Sequence, residues 1–326
     1  MALLFVDSFD HYASVDVTEK WTSGSGNIGA GGRRSSNAML SITGPLRKIL
    51  SASGATGIIG FAYYPTSFAI EQDVVRFMDG ATSHCKVVQK TDGTLAIQKI
   101  GGAVLATTTF AVVLNAFYYL EFRIVVHAST GAVELRIDGT SRASASGVNT
   151  QGGATATWNQ IGVDSSGARF DDIYVLDGSG AAPWNTFIGD CRVDVCRPTG
   201  PGASAQWTPS AGANWQCVDE TPPNDDTDYT STPTVGHVDT FAVQDAPSSG
   251  EILGVQVVLG MRKTDAGACS VAPVVRHAGV DQVGPNLSPA TAYAFSSHIY
   301  PTNPGTSVQF TVADFNAAEF GYKRTV

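Results

Sequence analysis

Along YYLEFRIVV, residues 118–126, apolar side chains fall on every second position: Tyr118, Leu120, Phe122, Ile124 and Val126, with Glu121 and Arg123 between them. This is the period of a strand buried on one face. AVELRID repeats it, with Val133, Leu135 and Ile137 inward and Glu134, Arg136 and Asp138 outward, and HASTG supplies a polar turn between the two. The pair predicts a half-buried antiparallel hairpin. GIIGFAYY, DVVRFM, HCKVVQK and TLAIQKI continue the strand texture, punctuated at Asp79–Gly80, Asp92–Gly93, Gly101–Gly102 and Asp138–Gly139. About ten strands are expected before residue 178, with no helix. That spacing is characteristic of a sandwich or jelly roll.

The texture changes at 178–186, GSGAAPWNT, a small and Pro-containing run that reads as a linker. Beyond it, DCRVDVCR, DTFAVQ, ILGVQVVLGMR, SVAPVVRH, AYAFSSHIY and SVQFTV are strand candidates, and Pro198 to Pro233 reads as one long loop. One short helix is expected in TVADFNAAEFG, with Thr311 as N-cap, Asp314 three residues on and Gly321 as its stop. The fold class is therefore all-β, as two tandem β-sandwich domains: 1–178, a linker at 179–186, and 187–326.

Composition sharpens this picture. The 326 residues are 43% apolar but only 15% charged, and 35 are Gly, which suits short strands and tight turns. The net charge is −9, and it is unevenly spread. Residues 1–178 hold 13 Lys and Arg against 15 Asp and Glu, a net of −2; the remainder hold 7 against 14, a net of −7. No basic cluster exceeds a dipeptide such as Arg33–Arg34, so nucleic acid is not an expected partner. No apolar run reaches the length of a membrane span, and the opening MALLFVDSFDHY lacks the basic start and apolar length of an export signal.

Candidate chemistry is sparse. Asp171 and Asp172 are adjacent in ARFDDIYVLDG, and on a regular strand neighbouring side chains point to opposite faces. They are expected to be architectural carboxylates, not a convergent catalytic pair. NDDTDY offers Asp225, Asp226 and Asp228 as oxygen ligands for Ca2+, without the Gly and bidentate Glu of an EF-hand loop; a solvated acidic loop is the preferred reading. Trp207 and Trp215 bracket WTPSAGANW, where they could stack on a glycan, contact another subunit, or anchor the loop. The six histidines form no HExxH or HxH pattern, GNIGAGG lacks the GK[ST] ending of a phosphate loop, and GxSxG is absent. No catalytic residue and no cofactor is nominated. Five cysteines without a CxxC pair are expected to be reduced thiols.

Two resemblances carry further expectations. LLFVDSFDHY, LEFRIVVHASTGAVELRIDG and IGVDSSGARFDDIYVLDG together resemble the concanavalin A-like lectin/laminin-G jelly roll. That likeness implies that the first and last strands of residues 1–178 lie side by side. The ExDxE strand of that superfamily's enzymes is missing, and its metal loop has no match here. The second half, from GDCRVDVCRPTGPG through WTPS, VDE, DDTDY and TVGHVDTF to VADFNAAEFGYKR, is similar to virion proteins of tailed bacteriophages. This resemblance implies a non-enzymatic virion component, tail- or fibre-associated or head-decorating, made in the host cytoplasm. Its partners would be other virion proteins and copies of itself, meeting on the 198–233 loop and on free strand edges. The alternatives are a host-surface glycan-binding adsorption module and, behind it, a polysaccharide depolymerase.

Overall fold

The computed structural model describes residues 3–51, 54–247 and 249–326; Met1 and Ala2 of the opening run lie outside them. The chain divides into two compact units, Met1–Val193 and Asp194–Val326. It is almost entirely β, in antiparallel sheets.

The first unit contains β1 (Leu3–Asp7), β2 (Ser23–Ala30), β3 (Asn37–Ile49), β4 (Thr56–Pro65), β5 (Gln72–Asp79), β6 (Thr82–Gln89) and β7 (Thr94–Lys99). It continues with β8 (Val104–Ala111), β9 (Tyr118–Val125), β10 (Gly131–Ile137), β11 (Thr140–Val148), β12 (Gln160–Val163) and β13 (Ala168–Leu176). The pairing path runs β11-β10-β9-β4-β13-β3-β12-β5-β6-β7-β8, with β1 added to β13 and β2 to β3. The path folds on itself: β11 comes alongside β8, and Phe77 of β5 meets Phe122 of β9 at 5.7 Å between ring centroids. Those two rings define the interior. Trp158 packs edge-on against Phe77 at 4.8 Å, and Phe61 lies beside Phe170 at 5.7 Å. Burial of this many aromatic rings, each removing a large apolar area from water, supplies the drive for the sandwich.

The hairpin read from alternation is β9–β10, with Phe122 opposite Leu135 and Glu121 opposite Arg136. The first and last strands do pair, Val6 with Tyr174 and Asp7 with Ile173. Strands missing from the sequence reading, β2, β8 and β11, are rich in Gly, Ser, Thr and Ala and show no apolar period. A one-turn helix α1 (Val17–Lys20) was also not foreseen.

The second unit holds β14 (Pro198–Ala205), β15 (Thr208–Pro209), β16 (Thr230–Ser231), β17 (Val238–Val243), β18 (Val255–Met261), β19 (Val271–His277), β20 (Val280–Val283), β21 (Ala294–Tyr300), α2 (Val312–Asn316) and β22 (Glu319–Arg324). Its main sheet is ordered β14-β17-β22-β19-β20, with β18 paired to β21. Thr311 caps α2 as expected: its hydroxyl accepts from Asp314 N at 3.0 Å, and the Asp314 carboxylate accepts from Thr311 N at 3.2 Å. The helix stops at Asn316, however, and Gly321 lies inside β22, where any Cβ would run into the Asp239 carbonyl.

Three further expectations are corrected. Pro198–Ala205 is an edge strand, not loop; its prolines are tolerated because an edge leaves one side of the backbone unpaired. SVQFTV is irregular up to α2, and DCRVDVCR forms no strand. Just before and within the latter segment, the backbone N–H groups of Gly189 and Val193 are taken by side-chain carboxylates instead of a ladder.

Candidate ligand-binding face

With Phe77 and Phe122 inward, alternation sends Arg76 of β5 to one outer face and Glu121 of β9 to the other. Register builds the first of these faces. Arg47 pairs with Gly162, Gly162 with Arg76, Arg76 with Lys86, and Lys86 with Gln98, forming one row across β3, β12, β5, β6 and β7. Asp164 lies two residues beyond Gly162 and therefore on the same side.

The charges in this row form a continuous ladder. Asp164 takes Arg47 Nη2 at 2.6 Å and Arg76 Nε at 2.7 Å. Asp73 takes Arg76 Nη2 at 2.7 Å and Lys86 Nζ at 2.6 Å. A register shift between Asp73 and Val75 brings the Asp73 carboxylate to this face. Gly162 keeps the row open: a Cβ there would lie 2.6 Å from Arg47 Nη1 and 2.9 Å from Arg76 Cγ. The side chains of both arginines are 17% exposed and that of Lys86 21%, so the guanidinium planes are fixed yet reach solvent. Three cations against two carboxylates leave this face at +1, on a chain of −9.

The opposite face is covered. Residues 187–193 cross it as a strap. Arg136 of β10 lies over the Phe187 ring at 4.2 Å. Glu121 of β9 accepts from Gly189 N at 2.8 Å and from the Tyr174 hydroxyl at 2.5 Å. Asp190 pairs with Arg33 at 2.6 Å, and Asp172 accepts from Val193 N at 2.8 Å. Gly60 of β4 lets Tyr174 reach across to Glu121, because its ring occupies the space a Cβ would take. Burial, followed by the Glu121 charge, holds the Tyr174 hydroxyl well above its usual range. The Cys191 thiol is pushed up to about 12, first by burial and then by Glu121, Asp190 and Asp172. It is not a reactive thiolate. All five cysteines are free thiols.

Asp171 and Asp172 depart from simple alternation. A register shift separates them from Tyr174, and Asp172 has φ +49. Both are buried, at 1% and 3% exposure, and both engage the 33–36 turn. Asp171 accepts from Arg33 N at 2.8 Å and Ser36 Oγ at 3.0 Å, while Asp172 pairs with Arg34 at 3.2 Å and Arg33 at 3.4 Å. Burial, then the neighbouring Asp172, raises the Asp171 carboxyl to about 7. The bulge overrides the expected split to opposite faces, yet the carboxylates are spent on holding backbone and arginines.

The other sequence candidates separate. Asp226 is tied to Arg262 at 2.6 Å and to the Tyr293 hydroxyl at 3.0 Å, Asp225 is exposed at φ +55, and Asp228 interacts with Glu220. Among the described residues no group of three His, Cys, Asp or Glu side chains could hold a metal ion. Trp207 packs edge-on against Tyr322 at 4.8 Å and donates to the His237 carbonyl at 3.2 Å; Trp215 joins the same cluster. Both anchor their loop to the core. Buried Asp239 completes the anchor, accepting from Gln206 N at 2.6 Å, Trp207 N at 2.9 Å and Asn214 Nδ2 at 2.6 Å. Among the described residues no helix is long and apolar enough to cross a membrane. Arg47, Arg76, Asp164 and Glu121 were missed as site residues, since a lone charge on an alternating strand looks like any solvent-facing position.

The first unit is an antiparallel β-sandwich. No family model and no curated protein matches the chain. Among solved structures it is similar to a galectin-like protein of unknown function from Bacillus subtilis, with 11% identity and a TM-score of 0.40, covering 54% of this chain and 96% of that one. It is also similar to alginate lyase Aly36B, with 9% identity and a TM-score of 0.35, covering 53% and 96%. Carbohydrate-binding module CBM66 from Bacillus subtilis is a third, at 13% identity and a TM-score of 0.34, covering 48% and 94%.

Proposed function

We propose that the chain is a non-enzymatic binding protein whose first unit takes an acidic saccharide across the Arg47–Arg76–Lys86 row. The observation that carries this reading is the ladder itself: three cations from three strands, held in fixed planes by Asp164 and Asp73, on the outer face of a sheet. Guanidinium groups held in this way present planar donors suited to carboxylate and sulfate groups. A broad sheet face suits an extended polymer better than a small molecule. On the opposite face Glu121, Asp171 and Asp172 are covered and engaged, and Tyr174 is bonded to Glu121.

The test is calorimetric titration with acidic and neutral oligosaccharides. Binding of the acidic set is expected, weakening as salt rises, and falling at least tenfold in Lys86→Met and in Arg76→Ala while both variants keep the wild-type circular dichroism spectrum. The reading fails if acidic and neutral sugars behave alike, or if both variants bind as wild type does. Accumulation of cleaved sugar would overturn its non-enzymatic part.

A second reading, a virion component of tailed bacteriophages, rests on the sequence resemblance of the second unit. The separated pieces of that resemblance, WTPS and TVGHVDTF, meet in space, where Asp239 holds Trp207 and Phe241 lies against Tyr322 beside it. In that setting the first unit would serve adsorption to a host-surface glycan. Immunogold labelling of intact particles decides it.

A further inference from the structure

The strap is unusual in what holds it. Its seven residues form no strand or helix, and their partners come from different places: Arg136 on β10, Glu121 on β9, Tyr174 and Asp172 on β13, and Arg33 in the turn before β3. Two buried carboxylates are aimed at backbone N–H groups four residues apart, at 189 and 193. A guanidinium receives the acidic side chain at 190, and another lies over the ring at 187. Gly189 sits at φ +83 with nothing within 4 Å of where a Cβ would stand, so its requirement is conformational. Together these are the elements of sequence-selective peptide recognition on a rigid platform. None depends on the strap being continuous with the sheet beneath it. Residues 179–186, which lead into it, are mostly exposed.

We propose that the outer face of β13, β4, β9 and β10 is a peptide-binding groove for the segment 187–193, filled in cis within one chain and in trans by a neighbouring copy. Exchange of an identical segment between copies makes no new contacts and loses none, which makes it a low-cost route to assembly. Within one chain the tethered segment has a high effective concentration and keeps the groove filled. A neighbour's segment enters when the local one is weakened or when copies are crowded.

Complementation between two full-length variants tests this. An acceptor carries Phe187→Ala and Gly189→Ala, weakening its strap and leaving its groove intact. A donor carries Glu121→Gln and Arg136→Ala, weakening its groove and leaving its strap intact. Light scattering after size-exclusion chromatography should find each variant unassociated alone, and a one-to-one complex on mixing. A labelled peptide spanning residues 186–194 should bind the acceptor saturably and at least tenfold more tightly than wild type. The same peptide with Gly189→Ala should bind about tenfold more weakly. If the donor does not fold, Arg136→Ala alone replaces it. The proposal is overturned if mixing yields no complex, or if the folded acceptor fails to bind the peptide.

Discussion

Replacing Asp171 by Asn should change the pH dependence of stability in a direction fixed by the site. The carboxyl rises to about 7 in the folded chain from an ordinary 3.8 because it is buried and stands next to Asp172. Between these values the folded protein holds a proton that the unfolded chain has released. The stability this group contributes is fully present below pH 4 and is lost as pH rises through 7. The difference, about 3 units, corresponds to about 4 kcal/mol at about 1.4 kcal/mol per unit. The Arg33 N and Ser36 Oγ bonds favour the ionised form, and partial solvation in the unfolded ensemble acts alongside them, so a loss of about 2–4 kcal/mol is expected. Asn removes the titration. It also loses one acceptor oxygen, a fixed cost of about 1 kcal/mol. Urea unfolding of both proteins at pH 4.5, 6 and 7.5 measures the difference, since other titrating groups cancel between them. Wild type should lose stability relative to Asn across this range, from near parity at pH 4.5 to the less stable of the two at pH 7.5. Parallel curves would refute the burial argument, and a wild type that gains on Asn as pH rises would reverse its sign.

Lys20 gives the mirror case. Its ammonium is buried and pushed down to about 8 from 10.5, mainly by burial, with Asp7 opposing. Its stabilising contribution is therefore complete above pH 10.5 and is lost as pH falls through 8. Lys20→Met should flatten that slope in thermal melts between pH 7.5 and 10.5, and an unchanged slope would refute the assignment. In the second unit, Trp207→Ala removes the ring from Tyr322 and the bond to His237, at an expected cost of about 3 kcal/mol. Accelerated proteolysis at 208–233 and a lower melting temperature should follow, whereas wild-type resistance would mean that the tryptophan does not anchor the loop.

Alternation carried the reading of the first unit wherever side chains were large. β9 and β10 were legible because Leu120, Phe122, Val133 and Leu135 cannot face water in bulk. β2 and β11 were not, because SGSGNIGA and TSRASASGV leave neither face apolar. The Asp171–Asp172 error has a single cause: a bulge shifts register by one residue, and no residue in FDDIY announces it. The strap was misread for the opposite reason. CRVDV has the alternation of a strand, but its Val193 N–H bonds to the Asp172 carboxylate of the preceding sheet instead of a ladder, a contact that period-two patterning does not encode. Glu121 could have been suspected only from Tyr174 and Gly60, whose juxtaposition depends on strand order.

The two outer faces of the sandwich show how one rule of alternation yields different chemistry. On each, charged residues stand opposite aromatic ones on the inside, so both faces begin polar. On the first, every carboxylate is shared between two cations of the same sheet, and the row is self-contained: Asp164 between Arg47 and Arg76, Asp73 between Arg76 and Lys86. A bound anion there would meet a surface already ordered by its own ion pairs. On the second, Glu121 and Asp172 are partnered by Tyr174 and by Arg33 and Arg34, and each also accepts an N–H from the strap lying across them. Each of these two N–H bonds adds to the satisfaction of a buried carboxylate and ties residues 187–193 to the sheet. The covering residues therefore belong to the first unit by energetics, although the sequence pattern assigned them to the second. The compact division at 193/194 leaves the strap in the first unit.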